Sequence, residues 1–500
     1  MLNHQIRFAF LLALFLTPAA AWAAQPNVQP NVLLIITDEH NFRTLGCYRE
    51  LLPREQAEMW GRGVVVPTPH LDRLAKQGVI CTRAYATAPV CTPCRAAMIT
   101  GRYPHAVGAP ANNLPLDRSA PTLADRLNKA GYRTAFFGKW HLGGSGKPEW
   151  SPQVDGGFQF TRFMFNRGHW KKFDIADGKP LVAAVRNGKP TYDVDSATSK
   201  TFSTDWLTDR AIDYITDPAA DKPFFAAISY PDPHGPNTVR APYDARFAGL
   251  RFRAPRTYDT GLPPPKWLGG GKKHPVFRGE DMARYFGMVQ CIDDNIGRLL
   301  ARLRETDRLD DTLIVMTSDH GDLCYEHDRL NKGNPYEGSA RVPMILRQKG
   351  RIAAGQVYRQ PMGTVDLTPT VMGLLNLSPD PRDQGRDLSS NLADVSQAPD
   401  NPPNPPVAFL RNAGNTAQWV AAVDARYKLV LSVNDIPWLF DAQQDPDELL
   451  NFYRRPGTDG VAERLAKALR QYAAANKDPF FEHPQIAASL ANALGKPASR

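Results

Sequence analysis

Asn31-Val32-Leu33-Leu34-Ile35-Ile36-Thr37-Asp38-Glu39 is an unbroken apolar run that ends in two carboxylates. A run of this length, without alternation and rich in β-branched residues, reads as a strand buried on both faces of a parallel sheet. Open α/β sheets bind ligands outside the carboxyl ends of their strands, so the polar residues after such a run are candidates for chemistry. The pattern recurs three times. Residues 132–137 lead into Gly138-Lys139-Trp140-His141, residues 223–230 into Pro231-Asp232-Pro233-His234, and residues 312–318 into Asp319-His320-Gly321. Alone, Asp38 reads equally as a helix-capping acid or as a ligand. Four strand ends with ionisable residues, converging on one sheet edge, make a site. The expected fold class is α/β, with a large, mostly parallel central sheet flanked by helices.

The second informative stretch is Cys91-Thr92-Pro93-Cys94-Arg95-Ala96-Ala97-Met98-Ile99-Thr100-Gly101. Proline suits the first turn of a helix and glycine its end. Cys91 is therefore expected just ahead of a helix N-terminus, facing free N–H groups and the positive end of the dipole, where a tetrahedral oxyanion binds. Cys91 and Cys94 also have the spacing of a redox pair or of half a zinc site. No second Cys-x-x-Cys completes four thiolates, and nothing nearby reads as a thioredoxin unit.

This stretch resembles the signature of type I sulfatases, Cys-x-Pro-x-Arg followed by Thr-Gly, and matches at every fixed position. Cys94 falls at a variable position where the family usually has Ser or Ala. The resemblance runs on through residues 67–78 and Gly101-Arg102-Tyr103-Pro104-His105, and reaches a helix near Ala474. It implies an alkaline phosphatase-like fold with a small C-terminal antiparallel sheet plus helix, and a sulfate ester hydrolase. It also implies that a separate maturation enzyme oxidises Cys91 to formylglycine, whose hydrated aldehyde is the nucleophile.

Carried across residue by residue, the resemblance assigns a divalent cation to Asp38, Asp319, His320 and the modified Cys91. Glu39 falls where the family has a second Asp or a Gln, as a ligand or as a support. Calcium is the first expectation for the metal, with magnesium or manganese as alternatives; His320 is a softer ligand than calcium prefers, so zinc stays open. Arg95 would stabilise the hydrated aldehyde, and Lys139 and Lys332 would neutralise the sulfate oxygens. His234 would be the acid that protonates the leaving alcohol, and His141 the base that expels sulfate from the modified residue. Both histidine roles suit a side chain that titrates near neutrality. Arg102 and His105 read as loop residues or, second, as residues facing the substrate; His327 reads as a loop residue and Cys291 as core.

Glycine-bounded helices are expected over residues 67–78 and 121–130. Others are expected over 205–215, over 285–306 with Met288, Ile292, Ile296, Leu299, Leu300 and Leu303 on one face, over 366–375, and over 461–474. A strand is expected to begin near Gly338. Residues 151–200 have weak periodicity and read as irregular structure over the site. Residues 261–275, with Lys266, Lys272 and Lys273, read as a long surface loop. Gly143-Gly144-Ser145-Gly146-Lys147 is not a P-loop, because His141 stands where its first glycine belongs and Pro148 where its Ser or Thr belongs. The chain divides into a leader over 1–23, a catalytic domain over 31–398, a Pro-rich linker near 400–406, and a C-terminal α+β subdomain over 407–490.

Hydrophobic residues at 42% and charged residues at 22% exclude global disorder. Residues 1–23 combine Arg7, an apolar run too short to span a bilayer, and Ala21-Trp22-Ala23 as a cleavage site. An exported protein, periplasmic or secreted after cleavage near Ala23, is the expectation, with no membrane span. Loss of Arg7 lowers the net charge from +9 to +8. This mild basic excess suits a sulfated carbohydrate, and no basic run with interleaved aromatics points to nucleic acid. Six cysteines are too few for a disulfide scaffold, and conversion of Cys91 would leave at least one thiol unpaired. Two alternatives stand beside the sulfatase reading. One is a phosphodiesterase or phosphonate monoester hydrolase of the same superfamily, where the Asp-His pair is common. The other is a non-catalytic binder of sulfated glycans, if Cys91 is not converted.

Overall fold

The computed structural model describes residues 29–268, 275–399, 402 and 405–495. The expected leader, Lys272 and Lys273, and most of the Pro-rich linker lie outside the described residues.

Eight strands form the main sheet. They are β1 (Asn31–Asp38), β2 (Val79–Cys81), β3 (Arg133–Lys139), β4 (Met164–Phe165), β5 (Phe224–Pro233), β6 (Thr312–Ser318), β7 (Met344–Arg347) and β8 (Gln356–Tyr358). Their order is β8-β2-β7-β6-β1-β5-β3-β4. The pairs from β6 through β4 are all parallel. Strand β7 pairs antiparallel with both β6 and β2, and β8 resumes parallel pairing with β2. The reversal has a local cause. A parallel return needs a crossover, usually a long helix, whereas residues 319–343 hold only short helical turns at Glu326–Asp328 and Glu337–Ala340. The strand expected from Gly338 is split at Pro343: Arg341–Val342 joins a side sheet and Met344–Arg347 the main one.

Strand β1 lies at the centre of the sheet. Val32, Leu34 and Ile36 pack with Met98, Leu123, Leu127 and Leu367 on one face. Leu33 and Ile35 pack with Leu71, Leu74, Leu207, Ile296 and Leu299 on the other. Both faces are thus apolar, which is why the run does not alternate, and each such side chain contributes about 1.5–3 kcal/mol on burial. Helices α1 (Pro69–Lys76), α4 (Ser203–Ile215) and α5 (Gly279–Glu305) cover the second face; α2 (Cys91–Thr100), α3 (Leu123–Lys129) and α6 (Leu367–Leu374) cover the first. Helix α5 starts six residues before the expected position 285, with Glu280 and Asp281 in the first turn complementing the dipole.

Register fixes the site edge. Ile35 lies level with Ile228 of β5 and Met316 of β6. Beyond Ile36 the register with β5 slips, so that Asp38 faces Pro233. The two extra residues on β5 carry His234 up to the level of Glu39. Residues 151–200 are loosely organised, with small hairpins at Phe173–Ala176/Lys179–Val182 and Val185–Arg186/Lys189–Pro190.

The C-terminal part is an antiparallel sheet of β9 (Ala408–Arg411), β10 (Trp419–Val423), β11 (Tyr427–Ser432) and β12 (Trp438–Asp441). Helices α7 (Asp459–Asn476) and α8 (Pro484–Ala493) pack on one of its faces; α8 is additional to the sequence reading. The other face meets Tyr85, Leu323 and Tyr336 of the main body. A buried lysine stitches the two: Lys428 Nζ donates to Pro335 O, Glu337 Oε1 and Glu448 Oε1, each at 2.7 Å.

Candidate active site

The five segments singled out in the sequence meet at the C-terminal edge of the sheet. Asp38 ends β1, Lys139 ends β3, His234 follows β5, Asp319 and His320 follow β6, and Cys91 opens α2. Cys91 is the first residue of its helix, with Val90 as N-cap, and Gly101 closes the helix in the left-handed conformation at φ 70°. Glu39 and His141 also take left-handed backbone, at φ 64° and 58°. Such angles are costly for residues with a Cβ and concentrate where a side chain must be aimed.

Two groupings of side chains share the site. In the first, ligand atoms of Asp38, Cys91, Asp319 and His320 all lie within 4.8 Å of one another, and all four residues are buried. His320 Nδ1 lies 2.9 Å from Gly321 O and donates to it, so in the neutral ring Nε2, 3.3 Å from Cys91 Sγ, is the atom with the lone pair. Two carboxylates, one imidazole and one further atom suit a divalent cation.

Arg95 backs this group. Its Nε donates to Asp319 Oδ2 at 2.8 Å, and its Nη1 to Lys139 O and Ser229 Oγ at 2.7 Å each. Lys139 Nζ donates to Asp38 Oδ2 and reaches Cys91 Sγ at 3.7 Å. Burial opposes charge on Asp38, but Lys139, His234 and Arg95 hold it well below the usual carboxylate range. Burial likewise opposes a thiolate at Cys91, yet Lys139 and Lys332 hold that thiol well below its ordinary value. Burial would lower His320, and Asp319 instead lifts it to about 9.

The second grouping is Glu39, His234, Lys332 and His169. Glu39 does not join the cation group. Its Oε2 lies 2.9 Å from His234 Nε2 and its Oε1 3.2 Å from Lys332 Nζ, at ion-pair distance but without hydrogen-bond alignment. Burial would raise Glu39, and His234 and Lys332 overcome it and hold the carboxyl at about 2. Lys332 Nζ is 2.6 Å from His234 Nε2, and His234 Nδ1 is 2.9 Å from Gly235 O.

No pattern in the sequence marks His169. Its ring stacks on His234 with centroids 3.4 Å apart and planes 9° apart, and its Nε2 lies 2.9 Å from Lys139 Nζ. Burial and Lys139 hold it well below the ordinary imidazole range, which leaves it neutral. Gly168 precedes it at φ 113°, where a Cβ would sit 2.4 Å from the Trp170 ring. Two residues on, Lys171 Nζ donates to Asp232 Oδ1 at 2.6 Å and to His234 O at 3.1 Å. Segment 168–171 is thus a template for His234. Asp38, His169 and His234 also cluster as if for a cation, but Lys139 Nζ already bonds both Asp38 and His169. A third cluster, His70 with Asp293 and Asp294, is accounted for by Asp293 accepting from the His70 and Leu71 N–H groups at the start of α1.

The other candidates sit elsewhere. His105 lies 3.0 Å from Asn476 O and 2.7 Å from Arg411 Nη1, and so fastens α7 to the main body. His327 stacks on Tyr336. Cys291 is core, and Cys94 packs in the interior with its Sγ 3.2 Å from Thr364 Oγ1. All six cysteines are buried and unbridged.

A family model described as Sulfatase matches residues 30–377, and one described as N-sulphoglucosamine sulphohydrolase, C-terminal, matches residues 325–475. The chain is 27% identical over 480 residues to the uncharacterized sulfatase YidJ of Escherichia coli (strain K12), covering 90% of this chain and 88% of that protein. It is 25% identical over 559 residues to an N-acetylglucosamine-6-O-sulfatase of Bacteroides thetaiotaomicron, covering 94% and 90%. Among solved structures, a phosphonate monoester hydrolase of Agrobacterium radiobacter superposes with a TM-score of 0.68 at 24% identity, over 91% of this chain and 97% of that one. That likeness is one of fold.

Proposed function

Since the chain belongs to the sulfatase family, whose members are sulfuric ester hydrolases, we propose that it removes sulfate from a carbohydrate through an oxidised Cys91 and a divalent cation. The observation that carries this reading is the setting of residue 91. Its side chain lies at a helix N-terminus, 3.3 Å from His320 Nε2 and 3.7 Å from Lys139 Nζ, on the rim of a four-residue cation group. The sugar is suggested by the relative that acts on N-acetylglucosamine 6-O-sulfate.

Asp38, Asp319, His320 and residue 91 would hold the cation, with calcium first and magnesium or manganese as alternatives. Once bound, it lowers the cost of negative charge on the ester oxygens and on the attacking oxygen of residue 91. Arg95, fixed by Asp319, Ser229 and a backbone carbonyl, orients that oxygen with a rigid fork of donors. Lys139 and Lys332 face the sulfate oxygens from two sides. His234 gives a proton to the leaving alcohol. His141 takes a proton when sulfate departs, and burial, against the pull of the Cys91 sulfur, keeps this imidazole below its ordinary range and so neutral. Residues 1–23 are proposed to export the chain, and a separate maturation enzyme to oxidise Cys91. No helix among the described residues is long and apolar enough to cross a membrane.

The direct test is turnover of matched sulfate, phosphate and phosphonate esters by protein co-expressed with a maturation enzyme. Sulfated sugars are expected to be the best substrates. Preference for a phosphonate monoester would give the site to the other hydrolase class, and binding without turnover would make the chain a glycan binder. The cation set has its own test. Asp319→Asn keeps the side-chain volume but halves the charge facing both Arg95 and the cation. Metal analysis of the folded variant is expected to show strongly reduced occupancy; full occupancy would move the ligands elsewhere.

A further inference from the structure

We infer that Asn113, itself held by Arg167, sets the ring tautomer of His141 and so chooses which nitrogen acts. The reaction that His141 serves rests on the sulfatase reading above; the tautomer does not. Asn113 Oδ1 lies 3.1 Å from His141 Nε2 and accepts from Arg167 Nη1 at 2.9 Å. An amide oxygen has no hydrogen to give, so the first contact is a hydrogen bond only when His141 Nε2 carries the proton. The amide cannot simply be turned over. Its NH₂ would then face a guanidinium N–H, donor against donor.

The other ring atom, Nδ1, is therefore the lone pair. It is buried and makes no aligned hydrogen bond among the described residues; the Cys91 side chain is the polar group that acts on this ring. Buried polar atoms are nearly always paired, so an unpaired one calls for a reason. A base waiting for its proton is such a reason, and this nitrogen belongs to the histidine next to the proposed nucleophile.

The surrounding frame holds the arrangement. Asn113 takes left-handed backbone at φ 67°, a region that asparagine tolerates better than most residues. Thr92, the neighbour of Cys91, ties both loops together. Its Oγ1 donates to His141 O at 2.8 Å and accepts from Asn113 N at 3.4 Å, and its N–H donates to Asn112 Oδ1 at 3.0 Å. The nucleophile position, the base and the amide that orients the base thus share one bonded network. Asn113 and Arg167 are positioning residues; neither need touch the sulfate.

The experiment combines tautomer and kinetics on converted, metal-loaded enzyme. With ¹⁵N-labelled histidine, the His141 signals, assigned by their absence in His141→Gln, are expected to show a protonated Nε2 and a bare Nδ1. Asn113→Leu removes the acceptor. It is expected to mix the two tautomers and to lower kcat by about 10- to 1,000-fold with KM within about threefold; a wrong histidine tautomer costs about 10⁴-fold in a serine-protease triad. Asn113→Asp keeps an acceptor for both donors and is expected to restore the single tautomer and most of kcat. Arg167→Met frees the amide and is expected to act in the same direction, more weakly. An unchanged tautomer in Asn113→Leu, or equal losses in the Leu and Asp variants, would overturn the inference. If Asn113→Leu does not fold, the tautomer in Arg167→Met decides. An enzyme without any sulfate ester turnover would sink the functional reading instead, while the ¹⁵N spectra would still settle the tautomer.

Discussion

Replacing Cys91 with alanine is expected to abolish sulfate ester turnover, by about four orders of magnitude or more, in a protein that still folds. The loss follows from position. Residue 91 is the side chain that lies at once at the helix N-terminus, beside Lys139 and against the cation group. Removing one sulfur from a crowded polar site leaves Arg95, Asp38 and Asp319 paired with one another, so the fold is expected to survive. The neighbouring cysteine is the control. Cys94 points into the interior, where burial pushes its thiol up and Thr364 is its polar contact. Cys94→Ala is expected to lose some packing, about 1 kcal/mol, and to retain activity. Thermal unfolding and turnover of both variants, with mass analysis of the peptide around residue 91, make the comparison. An active Cys91→Ala enzyme would remove the nucleophile from the mechanism.

Replacing His234 with alanine is expected to cost about two to four orders of magnitude on a sulfated sugar and far less on an aryl sulfate. His234 Nδ1 is committed to Gly235 O, so Nε2, between Lys332 and Glu39, is the atom that can hand over a proton. A sugar alkoxide is a poor leaving group and needs that proton, whereas a nitrophenolate leaves without it. The measured quantity is the ratio of the two rates in variant and parent. Equal losses on both esters would make His234 a binding residue, with Lys332 as the next candidate for the acid. The stacked His169 ring fixes the plane in which His234 works, so His169→Ala is expected to show the same substrate dependence in weaker form.

The sequence made the frame of the site legible and hid its lining. Asp38, Lys139, His234, Asp319 and His320 follow apolar runs, and such runs announce buried strands whose ends must share an edge. Cys91 was marked by the proline and glycine that bracket its helix. His169, Asn113 and Arg167 carry no comparable mark. His169 and Arg167 come from the weakly periodic stretch over 151–200, and Asn113 from a turn; contacts distant in sequence aim them, such as His234 stacked on His169 and Thr92 tied to both Asn112 and His141. The direction of β7 was equally silent, because an apolar strand of four residues reads the same either way. Glu39 illustrates a different limit. Its place beside Asp38 made it a ligand candidate, and its left-handed backbone turns it towards His234 and Lys332.

The central place of β1 also sets a timetable. It is made first, yet its neighbours β5 and β6 lie about 190 and 280 residues further along the chain, at Phe225 and Leu313 opposite Val32. At the usual pace of synthesis, roughly 5–20 residues per second, the sheet edge stays open for on the order of ten seconds or more after Cys91 has emerged. Pairings this distant in sequence are also slow to form. In the finished protein Cys91 is 2% exposed. The proposed oxidation of Cys91 is therefore expected before the sheet closes, on a chain whose middle strand is still waiting for its partners.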